Sequence, residues 1–152
     1  AMIHLYGVLD RLGQKARAQE MLASAFEAAK GSDHEARRLE EALRGASDPA
    51  LLLRALELRL ARGDLDGVAR AQVLAEMAEV LAGPLARHDD ALTALLGALE
   101  HDPASAQLLA RAVASARAAG AAAIERCAVT LEGLVADDLW SLPTYQEMLY
   151  IL

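Results

Sequence analysis

The chain has 152 residues, of which 55% are hydrophobic, and a net charge of −7. This length and apolar content favour one domain with a continuous core. The acidic balance argues against a nucleic-acid partner, because nucleic-acid binders carry basic surfaces that displace counterions. Cys127 is the only cysteine, which excludes an internal disulfide. Alanine and leucine supply 35 and 28 residues, and both are strong helix formers, so we predict an all-α fold.

The chain begins with a predicted pair of helices, and a third helix should start shortly after it. Apolar side chains repeat at helical spacing on both sides of Gly13, which predicts a helical hairpin over residues 2–30. Ser32 followed three residues later by Glu35 has the spacing of a capping box, so a new helix should begin there. Gly45 should end that helix, because glycine is the favoured residue just after a helix C-terminus.

Aspartates mark the starts of the next helices. Asp48 and the proline after it supply a cap and a preorganised first helical position, which completes a second hairpin over residues 32–62. A third hairpin, over residues 66–101, has apolar stripes at helical spacing on both sides of a Gly-Pro break. Asp89 or Asp90 should cap its second helix.

The last part of the chain continues the same alternation. Asp102 and the proline after it should end one helix and begin the next, giving a fourth hairpin over residues 104–136 with a break at Gly120. A final helix is predicted over residues 142–151. The sequence therefore predicts a single domain of about nine helices joined by short turns, with antiparallel hairpins stacked as a short α-solenoid.

Helix pairs that recur about every 35 residues are typical of helical-repeat proteins. Residues 74–103 resemble a tetratricopeptide repeat, with one residue inserted in the turn, and residues 2–30 fit the same pattern without an insertion. The other two hairpins keep only the helical spacing, so HEAT-like and irregular α-solenoids stay open as alternatives. The residues that match the family's packing positions in the stronger segment are Leu74, Met77, Ala78, Leu81, Ala91, Leu95, Ala98 and Pro103.

The resemblance also implies a function. In tetratricopeptide proteins the first helices of the pairs line a concave face that binds a partner, so this chain should be a non-catalytic module or scaffold that binds a peptide or helix of another protein, without a cofactor. The positions implied on that face are Gln72, Glu79, Gln107 and Arg117. An ordinary solvated face explains each of them equally well. They lack the set of Lys, Arg and Asn by which some members of the family clamp a C-terminal carboxylate, which disfavours a chaperone adaptor.

Side chains that could carry chemistry are dispersed along the chain. No two histidines stand one helical turn apart with a carboxylate partner, so we expect neither an enzyme nor a metal site. Cys127 lies on an apolar stripe without a neighbouring lysine or histidine, which predicts a buried small hydrophobe instead of a reactive thiol. The histidines are His4, His34, His88 and His101.

Three of the five aromatic residues, Trp140, Tyr145 and Tyr150, lie in the last thirteen positions. A terminal helix that carries them should cover the preceding hairpin, or else contact a partner or a second copy of the chain. The alternative function is therefore a structural segment of a longer solenoid, or a self-associating module such as a homodimer.

The compartment is inferred from what the sequence lacks. No run approaches the roughly 20 apolar residues that span a bilayer, and no leader pattern precedes the first helix, so we expect a cytoplasmic protein without membrane insertion. Arginine outnumbers lysine by 13 to 2, and together with the high alanine content this excess is typical of a GC-rich bacterial source.

Overall fold

The computed structural model describes residues 2–134, which form eight α-helices and, within that range, no β-strand. The prediction of an all-α fold is confirmed. The predicted helix over residues 142–151, with Trp140, Tyr145 and Tyr150, lies outside the described residues. The helices are α1 (Met2–Arg11), α2 (Lys15–Gly31), α3 (Asp33–Ala46), α4 (Pro49–Leu60), α5 (Gly67–Ala82), α6 (His88–His101), α7 (Ala106–Ala119) and α8 (Ala121–Leu134).

Two helix starts follow directly from aspartate caps. The Leu51 backbone N–H donates to Asp48 Oδ1 over 3.0 Å at the start of α4, where Pro49 takes the first helical position. At the start of α5, the Ala69 N–H donates to Asp66 Oδ1 over 2.7 Å. Each carboxylate satisfies a backbone donor that has no partner within its helix, and its charge is favourable at the positive end of the helix dipole.

The ends of α3 differ from the prediction. Ser32 takes the cap position, but its side chain makes no capping hydrogen bond, so the predicted capping box is not formed. At the other end the helix runs past Gly45 to Ala46. Ser47 adopts the left-handed conformation instead, with φ of 55°, and its N–H donates to the Arg44 carbonyl over 3.1 Å. A small polar residue thus takes the role that the sequence assigned to glycine.

Two later helix starts are also corrected. α6 begins at His88, so Asp89 and Asp90 lie within its first turn and do not cap it. Their charges still favour the helix, because its N-terminus is electropositive. α7 begins after Ser105, whose hydroxyl accepts from the Leu108 N–H over 3.3 Å. The helix therefore starts later than the proline at which the sequence predicted it, and a turn separates α6 from α7.

Contacts between helices follow chain order. Each helix packs against the next one, and the second-neighbour pairs in extensive contact are α1 with α3, α2 with α4, and α6 with α8. Between residues 2 and 134, no helices further apart in the chain are in extensive contact. α3 and α5 are instead linked by long side chains, since Arg44 Nη2 lies 2.5 Å from Glu76 Oε2. This spacing leaves a groove between α3 and α5.

One hydrophobic core runs through the described helices, from Ile3 on α1 to Cys127 on α8. Burial of Cys127 is confirmed, and it raises the pKa of the thiol, so the residue packs as a small hydrophobe. The largest side chains that are fully buried are Leu43, Leu56, Leu92, Leu95, Leu99 and Val73.

Candidate functional site

The groove between α3 and α5 is polar and has a volume of about 320 Å³. We call it the α3–α5 groove. Its side chains come from three helices, because the last turn of α4 reaches its base. α3 supplies Arg37, Glu40, Glu41 and Arg44, α4 supplies Arg59, and α5 supplies Gln72 and Glu76.

Two charged residues of this groove occupy positions at which a helix normally places apolar side chains. Glu40 shares the buried face of α3 with Ala36 and Leu43, and Arg59 follows Leu56 on the buried face of α4. Both faces obey the three- and four-residue spacing of an amphipathic helix. Folding therefore carries both charges inward, and Arg59 is only 5% exposed and Glu40 only 2% exposed.

Arg59 connects two carboxylates of α3. Its Nε donates to Asp33 Oδ1 over 3.0 Å, and its Nη1 donates to Glu40 Oε2 over 3.2 Å. A buried guanidinium requires such partners, because removing a charge from water is costly unless it is paired and hydrogen-bonded. The pair of bonds fixes the Arg59 side chain between the two carboxylates.

The second oxygen of Glu40 is different from the first. Oε1 is buried and has no hydrogen-bond partner among the protein atoms of the described range. A buried polar atom without a partner costs about 1–3 kcal/mol, so native structures rarely contain one. Burial raises the pKa of Glu40 more than the charge of Arg59 lowers it, and the nearby charge of Glu76 raises it further.

The remaining charges of the groove are largely engaged. Burial alone would raise the pKa of Asp33, but the hydrogen bond from Arg37 and the charge of Arg59 outweigh it and hold that pKa below its ordinary value. Arg37 Nε lies 2.7 Å from Asp33 Oδ2. Glu41 is exposed, and the described range holds no ion-pair partner for it. With all groups ionised, the three arginines and three glutamates that line the groove balance in charge.

The four residues that the resemblance implied for a binding face fall in different places. Gln72 lies at the α3–α5 groove and is exposed. Glu79 lies further along α5 and pairs with Arg111 Nη1 over 3.3 Å. Gln107 and Arg117 are exposed on α7 and do not line the groove. The structure thus brings Gln72 together with the buried charges, and leaves the other three outside that cluster.

The sequence did contain a signal for the residues that the resemblance missed. A glutamate and an arginine interrupt the apolar stripes of two consecutive helices at core positions, and their charges are opposite. Such a pattern indicates a buried ion pair. Recognising it requires the helix phases of α3 and α4 to be assigned first, because only then do Glu40 and Arg59 fall on the buried faces.

A second groove, of about 350 Å³, lies between α2 and α4. The Arg54 guanidinium stacks over the Phe26 ring there, 4.7 Å from its centroid. Its charged side chains, which include Glu27, Lys30 and Glu57, are exposed to water, so none of them needs a partner. We therefore regard the α3–α5 groove as the candidate site.

Two other kinds of site are absent from the same part of the chain. Among the side chains that the structure describes, no three of His, Cys, Asp or Glu lie close enough together to hold a metal ion. No helix in this range combines the length and the apolar character that a bilayer crossing requires. The buried charges of the α3–α5 groove remain the feature of the described range that most needs a functional explanation.

Comparison of the chain with protein-family models, curated proteins and solved structures found no match. The resemblance of residues 2–30 and 74–103 to tetratricopeptide repeats therefore stays a prediction. The features that bear on function are those of the groove itself, namely its open mouth, its buried charges and its unpartnered oxygen.

Proposed function

We propose that this chain is a non-catalytic protein-binding module, and that a peptide segment of its partner occupies the α3–α5 groove. The observation that carries the proposal is the buried Arg59–Glu40 pair at the base of an open groove. Apolar side chains in place of a buried ion pair often leave stability unchanged or improve it. Stability alone is thus a weak reason for this pair, whereas recognition of a polar partner gives it a role.

The contact pattern supports a solenoid as the scaffold for this groove. Extensive contacts join only first and second neighbours along the chain in the described range, which is how stacked helical hairpins pack. In a tetratricopeptide-like stack, α3 and α5 are the first helices of successive pairs. The groove between them would then belong to the face that such proteins use to bind partners.

The groove is suited to binding more than to catalysis. Its lining consists of arginine, glutamate and glutamine, without a serine, threonine, cysteine, histidine or lysine. These side chains offer charge and hydrogen bonds. Among them, the glutamates are the kind of residue that also serves as a nucleophile or as a general acid and base, but Glu40 and Glu76 are each paired with an arginine. Arg37, Arg44 and Arg59 each pair with a carboxylate. The Arg59 pair is the buried one of the three, so the base of the groove is preorganised, which lowers the entropy lost on binding there.

A comparison of matched glutamine substitutions tests the proposal. Gln72→Arg places a long cation at the groove, where it competes with a bound segment, whereas Gln19→Arg makes the same change at an exposed site on α2. Each tagged variant is used to capture proteins from its native cells, and captured proteins are identified by mass spectrometry. We expect a partner that the original chain and Gln19→Arg retain and Gln72→Arg loses, at equal melting temperatures.

Further substitutions ask how far the binding surface extends. Gln107→Arg and Arg117→Glu alter exposed residues of α7. If the partner lies along the first helices of several pairs, as the family resemblance implies, these changes also weaken capture. If it occupies only the α3–α5 groove, they leave capture unchanged. If Gln72→Arg captures the partner as well as the original chain does, the proposal is contradicted, whether the partner is thought to occupy the α3–α5 groove alone or to extend along several first helices.

Exposed apolar side chains favour self-association as a second candidate function. Val8 on α1 is 44% exposed and Leu12, four residues later, is 66% exposed. Leu12 lies just beyond the end of α1, and its N–H donates to the Val8 carbonyl over 3.1 Å. This bond extends the helical turn to Leu12, so the two residues lie on one side of the helix end and form a small apolar surface. Light scattering of the original chain and of a Val8→Ser/Leu12→Ser variant tests this candidate: self-association through this surface predicts a larger mass for the original chain alone.

A further inference from the structure

α8 buries far less of its surface than α6, a helix of the same length. Both helices have 14 residues. The buried residues of α8 are Ala123 and Cys127 alone, whereas α6 buries Ala91, Leu92, Ala94, Leu95, Ala98 and Leu99. The difference follows from their neighbours. α6 packs against α5, α7 and α8, whereas α8 is in extensive contact only with α6 and α7 in the part of the chain that the structure describes.

The uncovered part of α8 includes an apolar stripe beside its buried face. Three-, four- and three-residue spacing places the members of this stripe on one side of the helix, and they are Ala121, Ile124, Ala128 and Leu131. We call these four residues the α8 surface. Ile124 is 48% exposed, both alanines are exposed, and Leu131 is partly buried. An apolar stripe of this kind normally packs against another element of the fold.

The remainder of the chain carries a matching stripe. The same three-, four- and three-residue spacing joins Leu142, Tyr145, Leu149 and Leu152. We propose that residues 142–152 form a helix that packs antiparallel on the α8 surface of the same chain. The large side chains of Tyr145 and Leu149 complement the two alanines of that surface, because facing positions interdigitate when large residues meet small ones.

Chain connectivity supports this occupant over a second copy or a separate partner. Residues 135–141 would connect the two helices, and they outnumber every connection between the described helices, of which residues 61–66 are the longest. A segment on a short flexible linker has an effective concentration of about a millimolar. Each described helix also packs against the next one along the chain. The segment therefore occupies the α8 surface ahead of free molecules.

The reactivity of an introduced thiol measures whether the α8 surface is covered. Ile124→Cys and Val129→Cys are made separately in the full chain, each with Cys127→Ala so that the introduced thiol is the only one. Val129 is the control, because it is 64% exposed and lies five residues after Ile124, on another side of the helix. Under native conditions Ile124→Cys should react with Ellman's reagent at least about tenfold more slowly than Val129→Cys, because a covered thiol is attacked only when the segment opens.

Substitutions in the segment identify what covers the surface. Tyr145→Ser/Leu149→Ser removes two side chains of the stripe, and it should raise the slow rate to that of the control thiol. Tyr150→Ser/Ile151→Ser removes an aromatic and an aliphatic side chain that lie off the stripe, and this matched control should preserve the slow reaction. Leu149→Ala, a milder change, should raise the rate by less. Circular dichroism and the melting temperature show that each variant is folded.

Each alternative gives a different result. Equal rates for the two thiols would show that the α8 surface is open, and a slow rate that Tyr145→Ser/Leu149→Ser leaves unchanged would show that something else covers it. Either result overturns the proposal. Covering by a second copy predicts that the slow rate is lost on about hundredfold dilution, by mass action, whereas a segment of the same chain protects equally at every concentration. The α3–α5 groove is not involved, so these outcomes are independent of the proposed function.

Discussion

Arg59 and Glu40 lie 19 positions apart on successive helices, and Arg59 Nη1 is 3.2 Å from Glu40 Oε2 at the base of the α3–α5 groove. Both side chains are buried, and only one of the two Glu40 oxygens has a protein partner in the described range. The pair therefore joins two helices through charge at a place where apolar packing would be expected. Its energetic and functional roles can be separated by substitution.

Replacing Arg59 tests the energetic role. Arg59→Met keeps much of the side-chain volume but leaves Glu40 buried without its counter-charge, and breaking a buried pair in this way costs about 3–5 kcal/mol. Arg54→Met on the same helix is the control, since Arg54 is exposed and stacks on Phe26, and should cost about 1 kcal/mol or less. Urea unfolding measures both. Equal losses for the two variants would show that the Arg59 pair carries no special weight.

The pH dependence of stability tests the environment of Glu40. Its pKa in the folded chain lies above the ordinary value of 4.5, so the folded state binds this proton more tightly than the unfolded state does. Protonated Glu40 therefore stabilises the folded chain. This contribution to the free energy of unfolding is fully present at pH values below the ordinary pKa, and it is lost as the pH rises through the pKa of the folded state. Glu40→Gln has no such group, so its stability should rise relative to the original chain as pH increases above 4.5.

The measurement is urea unfolding of both proteins at several pH values from acid to neutral. The charged groups that face Glu40 are Arg59, Arg44 and Glu76, and all three are present in both proteins. Their contributions cancel to first order in the difference. A stability difference that is constant, or that falls with rising pH, would contradict the raised pKa.

Two leucines test the position of the core. Leu56 is fully buried and Leu109 is 41% exposed. Leu56→Ala should cost about 2–5 kcal/mol, because it removes buried methyl groups and leaves a cavity. Leu109→Ala should cost well under half as much, since part of that side chain already contacts water. Thermal or urea unfolding measures both, and a larger loss at Leu109 would show that α7 packs differently.

Two glycines test opposite backbone requirements, one in the turn between α7 and α8 and one inside α3. Gly120 has φ of 110° and ψ of −175°, a region in which residues with a side chain are strained, so Gly120→Ala should destabilise by about 1–3 kcal/mol. Gly45 lies within α3, and beyond its chain neighbours and the backbone of its own helix a methyl group added to it would meet no atom within 4 Å. Gly45→Ala should therefore stabilise the chain by about 0.5–1 kcal/mol. Opposite signs in urea unfolding are the expected result, and losses at both positions would contradict it.

Much of the fold was predictable because local signals specify it. The caps at Asp48 and Asp66 and the break at Gly120 act over a few residues, and the structure has them where the sequence placed helix boundaries. The end of α3 was not predictable in the same way. Gly45 can extend a helix and Ser47 can adopt a left-handed turn, so the preference of glycine for the position after a helix does not decide where α3 ends.

The candidate site depended on long-range geometry that local patterns do not contain. Gln72 was expected on a binding face from a family resemblance, and it lies at the α3–α5 groove. Glu40 and Arg59 were not singled out, because the burial of each charge depends on the other helix being in place. The groove lies between α3 and α5, which are linked by the long side chains of Arg44 and Glu76. The separation of these two helices cannot be predicted from the periodicity of the sequence.

Photo-crosslinking in the native cells tests the central claim most directly. A photoreactive amino acid replaces Gln72 at the α3–α5 groove in one protein and Gln19 on α2 in another, both at exposed positions. The account predicts a discrete crosslinked partner from position 72 and none of that species from position 19. Crosslinks of equal yield from both positions, or none from position 72, would contradict a partner-binding role for the groove.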